Sequence, residues 1–174
     1  MRSPNNARVS VLAVILVVLL FTVSRSSASL WAADDPLDAA LETARKSHDE
    51  TQLQSLKTQL EHEIAQNAED AGSHFALARV HEYLLDVCEM RKDKKAATAA
   101  VDKAIQAVQS SIQLDDKSAD AHSLLANFYG RRISLGNAMF AGPKYGPKVK
   151  EENAKAMALD NKNPASGQAR AANT

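Results

Sequence analysis

AGSHFALARVHEY, residues 71–83, and ADAHSLLANFYGR, residues 119–131, are two copies of one pattern. A shift of 48 residues lays Ala71, His74, Leu77 and Ala78 on Ala119, His122, Leu125 and Ala126, with Val80 on Phe128 and His81 on Tyr129. The match begins earlier, because Ile64 falls on Ile112 and the helix-capping residues Asp70 and Ser118 coincide. The repeated unit is therefore the end of one helix, a turn, and the next helix. A third copy of the turn is suggested at a spacing of 45, where Met157, Leu159 and Asp160 fall on Ile112, Leu114 and Asp115. Two-helix units repeating at roughly 20 to 50 residues cannot bury their apolar faces alone and stack on their neighbours. The expected fold is all-α: antiparallel helix-turn-helix repeats stacked as a short right-handed solenoid of about six helices. Such an array offers a surface for a partner more readily than an active site.

The helices can be read outward from this unit. Asp34 and Asp35 precede Pro36, which suits a capped helix start. Leu37, Ala40, Leu41, Ala44 and His48 then form one stripe, giving a helix from Pro36 to about Lys46. Leu53, Leu56, Leu60 and Ile64 mark a second helix over about Glu50 to Gln66. A third starts at Asp70, carries His74, Leu77, Ala78, His81, Leu84, Leu85 and Cys88 on one side, and ends near Met90. Past the charged connection Arg91 to Lys94, a fourth buries Ala97, Val101, Ala104, Ile105, Val108 and Ile112, where alanines allow close approach. The fifth is capped by Ser118, buries Leu124, Leu125, Phe128 and Tyr129, and ends at Gly130 or Gly136. Gly136 to Pro147 then reads as a long loop punctuated by glycine and proline, with Phe140 and Tyr145 either covering the core or meeting a ligand. Pro147 opens a sixth helix with Val149, Ala154, Met157 and Leu159. No strand-like alternation occurs after residue 35.

Residues 1–28 have the order of a secretory signal: Arg2 and Arg8, an apolar run from Val9 to Val23, then the small residues Ser24, Ser26, Ser27 and Ala28. Cleavage is expected after Ala28, or at Ala32 or Ala33. An uncleaved anchor is the alternative, with Arg25 and Trp31 at the interface. Either way the domain is expected in the periplasm or secreted, or held outside the cytoplasm by its anchor. The organisation expected is signal 1–28, linker 29–35, helical domain 36–164 and a polar tail 165–174.

The 21 basic and 21 acidic side chains balance. Loss of Arg2, Arg8 and Arg25 with the signal leaves the remainder acidic by three charges, which disfavours nucleic acid as a partner. The single cysteine, Cys88, cannot form an intramolecular disulfide, so the core must hold the fold. Five histidines invite a metal reading, but His74 and His81 lie two helical turns apart, and His81-Glu82 lacks the second histidine of a zinc-protease helix. His74 and His122 occupy equivalent repeat positions, which points to packing. Cys88 has neither a glycine elbow nor a spaced base beside it. No metal, cofactor or catalytic activity is expected.

The repeat resembles the tetratricopeptide repeat, in which an aromatic, Leu-Gly and a second aromatic mark the first helix. The positions read His74, Leu77, Ala78, His81 and again His122, Leu125, Ala126, Tyr129. Ala156, Leu159, Asp160, Asn163 and Pro164 match the end of the family's second helix. The segment Gly136, Tyr145, Gly146, Pro147 and Lys148 is similar to the elongated connection of some exported members, and the likeness covers about residues 68 to 164. The unit is longer than the family's roughly 34 residues. The resemblance implies a protein or peptide partner bound on the inner face of the first helices. The matching positions are Phe75, Arg79, Glu82 and Tyr83, then Asp120, Ser123, Asn127 and Arg131. Residues 165–174 carry no apolar stripe to cap the array, so self-association through an uncapped C-terminal repeat, a structural or assembly role, is the alternative.

Overall fold

The computed structural model describes residues 36–47 and 49–161. The expected signal, the linker and the C-terminal tail lie outside the described residues, as does His48. Six helices run through the rest: α1 Pro36–Ser47, α2 Glu50–Gln66, α3 Ala71–Met90, α4 Lys94–Leu114, α5 Ala119–Leu135 and α6 Ala138–Asp160. The protein is all-α, with no strand among the described residues. Each helix packs on the next in sequence, and α1 also touches α3. None of these helices is long and apolar enough to cross a membrane.

The repeat is visible atom by atom in two turns. The Asn67 N–H closes α2 by donating to the Glu63 carbonyl at 2.9 Å, and 48 residues on the Asp115 N–H donates to Ser111 at the same distance. The side chains of these two residues then accept from Glu69 N–H at 3.3 Å and from Lys117 N–H at 3.0 Å. His74 Nε2 lies 3.1 Å from the Ala68 carbonyl, and His122 Nε2 lies 3.1 Å from the Asp116 carbonyl. A carbonyl only accepts, so Nε2 carries the proton in both rings. The next helix starts on a side-chain cap in each case, Asp70 accepting from Gly72 N–H and Ser118 from Ala121 N–H. At the third copy Asp160, the counterpart of Asp115, is still helical, and Asn161 caps α6 at φ −64°, ψ −21° where Asp115 caps α4 at φ −140°, ψ 94°; the rest of that turn lies outside the described residues.

Two apolar clusters share α3. Leu41 and Ala44 of α1, Leu53 and Leu60 of α2, and Ala76, Val80, Leu84 and Val87 of α3 form the first. Ala78 and Leu85 of α3, Ala97, Val101, Ala104 and Val108 of α4, and Leu125, Phe128 and Tyr129 of α5 form the second. The stripes expected for α1, α2 and α4 are thus the buried ones, with Ile64, Ile112 and Leu124 at the half-buried margin. Tyr145 and Val149 bring α6 onto the second cluster, where Tyr145 stacks on Tyr129 at 5.6 Å between centroids. Beneath them the buried pair His122 Nδ1 and Glu152 Oε2, 2.5 Å apart, ties α5 to α6. Removing one partner of such a pair would strand a buried polar group, at a cost of about 3–5 kcal/mol.

The expected loop is the principal correction. Residues 138–147 are helical, and Pro143 and Pro147 lie inside α6 instead of at its start. Proline lacks an N–H and normally clashes with the preceding residue. Both prolines here follow glycine, Gly142 and Gly146, which has no Cβ to clash. The four-residue spacing of the two dipeptides also gathers the missing donors on one exposed side of the helix, while Tyr145, Val149 and Glu152 hold the other side on the core. The real break is a two-residue turn, Gly136 and Asn137. Gly136 is needed there, because a Cβ would stand 2.9 Å from Ala141 Cβ and 3.1 Å from the Arg132 carbonyl. Phe140, expected to fold over the core, is 73% exposed.

Stability should follow this correction. Phe128→Ala is expected to cost about 3–5 kcal/mol through lost burial and a cavity, and Phe140→Ala to stay within about 0.5 kcal/mol. Urea midpoints of the two variants check this; comparable losses would contradict the placement of Phe140.

Candidate functional site

Glu42 of α1, Arg79, Glu82, Tyr83, Asp86 and Glu89 of α3, and Arg131 of α5 form a polar row across the odd-numbered helices, in which the Tyr83 ring is buried in the first apolar cluster, Glu89 is exposed and the others are half-buried. Their spacing on α3, at steps of three and four, puts them on one side of that helix. Arg79 Nη2 reaches Glu42 Oε1 at 3.1 Å and donates to the Tyr83 hydroxyl at 2.9 Å; that hydroxyl in turn donates to Glu42 at 3.3 Å. Arg45 holds the other oxygen of Glu42 at 2.8 Å. Its hydrogen bond, with the charges of Arg45 and Arg79, keeps the Glu42 carboxyl below the usual range. At the other end, Arg131 Nη2 lies 2.7 Å from both Asp86 Oδ1 and Glu89 Oε2.

Glu82 sits between these two clusters. Burial, followed by the charge of Asp86, raises its carboxyl above the ordinary value, against the pull of Arg131, Arg79 and Arg45. The two arginines nearest to it already donate to other acceptors. Glu82 is thus a half-buried carboxylate of a row whose arginines are already engaged.

The structure gathers Arg79, Glu82, Tyr83 and Arg131, four of the eight residues expected at a binding face. Phe75 lies on the same helix but packs, half-buried, against the second core cluster. Asp120, Ser123 and Asn127 extend the line along α5. Asp120 and Asn127 are exposed and Ser123 is half-buried. Asp120 also stands in the first turn of α5, where a carboxylate suits the helix dipole. The sequence reading missed Glu42, Asp86 and Glu89. The only signal for the last two is their separation from Arg131 by 45 and 42 residues, close to the repeat period.

Outside this row, a shallow cleft of about 420 Å³ lies between α1 and α2, lined by Ala39, Ala40, Thr43, Gln52, Ser55 and Leu56. Its lining carries no titratable group. Cys88 is half-buried, and burial followed by the charge of Asp93 pushes its thiol up, which works against a nucleophilic thiolate. Among the described residues no group of three or more His, Cys, Asp and Glu is placed to hold a metal ion. No family model, curated protein or solved structure matches this chain.

His81, on α3, has its basicity lowered to about 4, first by burial and then by the charges of Lys57 and Lys103. The unfolded chain would take up a proton near pH 6.5, whereas the folded ring resists until about pH 4. Acidification through that window therefore favours the unfolded chain. The fold should lose on the order of 1–3 kcal/mol between pH 6.5 and 4 on this account, allowing for partial exposure. Stability measured against pH for the wild type and His81→Gln checks this; equal slopes for the two proteins would contradict it.

Proposed function

We infer that this chain is a non-catalytic, exported, tetratricopeptide-like protein that binds a protein or peptide along the face made by α1, α3 and α5. The support for a repeat array is the duplicated turn, with its paired histidine-to-carbonyl bonds 48 residues apart. The support for export is the basic, apolar, small order of residues 1–28. The observation that carries the binding face is Glu82, a half-buried carboxylate on the row whose two arginines, Arg79 and Arg131, are already engaged by other acceptors.

Because Arg79 and Arg131 are occupied, the face suits a cation better than a carboxylate. A lysine or arginine side chain of an extended segment would give the half-buried Glu82 a cationic partner in a charge-assisted hydrogen bond. Asn127 and Ser123 offer side-chain donors and acceptors for a backbone running along α5.

Glu82→Gln separates a binding role from a structural one. The raised carboxyl adds stability only while it is protonated, and that is lost as pH rises through its folded value. At pH 7 the ionised group is a net cost, so the amide should make the fold more stable there, with the gap closing below about pH 4.5. Partner capture from an envelope extract should fall about tenfold or more despite that gain, as expected for one lost charged hydrogen bond. Undiminished capture would refute the face assigned here.

A further inference from the structure

The outward side of α6 is a second surface, separate from the polar row. Met139 is 76% exposed and Phe140 73% exposed, and the exposed Pro143 and Pro147 continue the line at helical spacing. Lysines lie beside and beyond that ridge. Lys144 and Lys148 lie on one side, their ammonium groups 5.0 Å from the Tyr145 ring centroid and 5.2 Å from that of Tyr129, and the exposed Lys150 continues the line of the ridge three residues past Pro147. From Gly136 to Lys150 there are three lysines and no acidic residue, in a chain whose charges otherwise balance. The ion pairs of this helix, Lys155 with Glu151 and Glu152, begin only beyond that stretch.

We propose that the N-terminal half of α6 docks on an anionic lipid surface, with Met139 and Phe140 entering the headgroup boundary and Lys144, Lys148 and Lys150 meeting lipid phosphates. Large apolar side chains left in water mark interaction sites. A helix face with an exposed apolar ridge and lysines beside and beyond it is the form that lies in a membrane interface, and each lysine near an anionic leaflet adds to the attraction. A second copy of the chain would set lysines against lysines. An acidic protein partner would need pockets of its own to receive two protruding side chains.

The test uses the full chain with Cys88→Ser and Met139→Cys, carrying a polarity-sensitive fluorophore at position 139. Vesicles of phosphatidylcholine are compared with vesicles containing roughly 30 mol % phosphatidylglycerol. An apolar N-terminal segment, if retained, would attach the chain equally to both, so the label reports α6 alone. The expected result is a blue shift on the anionic vesicles only, lost when Lys144, Lys148 and Lys150 become glutamine and lost in about 0.5 M salt, where the Debye length shrinks to a few ångströms. Circular dichroism of each variant confirms that the helices remain. No shift on either vesicle, an equal shift on both, or a shift that survives the lysine replacements would overturn the proposal. A shift that grows with protein concentration without lipid would assign the face to a second copy, and one produced by an acidic polypeptide but not by the vesicles would assign it to a protein; each overturns it as well.

Discussion

The bond from a histidine ring to the carbonyl six residues before it holds each repeated turn in place. His74 to Ala68 and His122 to Asp116 tie the first turn of the second helix back to the middle of the connection, so each ring fixes where that helix begins relative to the turn. A turn of four residues carries many polar backbone groups with no helix to satisfy them. Here the histidine, the Asn67 or Asp115 side chain, and the Asp70 or Ser118 cap share that work. At His122 the same ring also reaches Glu152, so one side chain closes a turn and docks the last helix.

With the turns set in this way, α3 becomes the shared element of the molecule. It contributes Val80, Tyr83, Leu84 and Val87 to one apolar cluster and Ala78 and Leu85 to the other, which leaves its remaining side for Arg79, Glu82 and Asp86, with the Tyr83 hydroxyl reaching Arg79 from the core. Those residues then meet α1 through Glu42 and α5 through Arg131. Exposed ion pairs of this kind contribute little to stability individually. Their consequence is geometric, because they hold the guanidinium groups on acceptors other than the half-buried Glu82.

Periodicity and capping chemistry were legible in the sequence because both are local. The bounds of α2, the caps Asp70 and Ser118, and the stop at Gly136 follow from apolar spacing and from residues that satisfy helix ends. The start of α6 was not legible, because glycine and proline signal a loop by composition, while their effect on a helix depends on which face they occupy and what the opposite face buries. The α3 positions of the candidate face came from the family resemblance, and of them Phe75 and the Tyr83 ring pack against the core. Their partner Glu42 was not legible, since a contact between residues 37 positions apart leaves no trace in local spacing. Nor was the engagement of both arginines by Glu42, Asp86 and Glu89.

The central claim is that the α1–α3–α5 face meets a partner, and Asn127, exposed on α5 beside the polar row, is the place to test it directly. A photo-activated cross-linking side chain placed there in the producing cells should yield covalent adducts with another polypeptide. The same group at Gln106, exposed on α4, serves as the control and should yield few. Adducts confined to position 127 and diminished by Glu82→Gln would match the account. No adduct at 127, or equal yields at both positions, would contradict it.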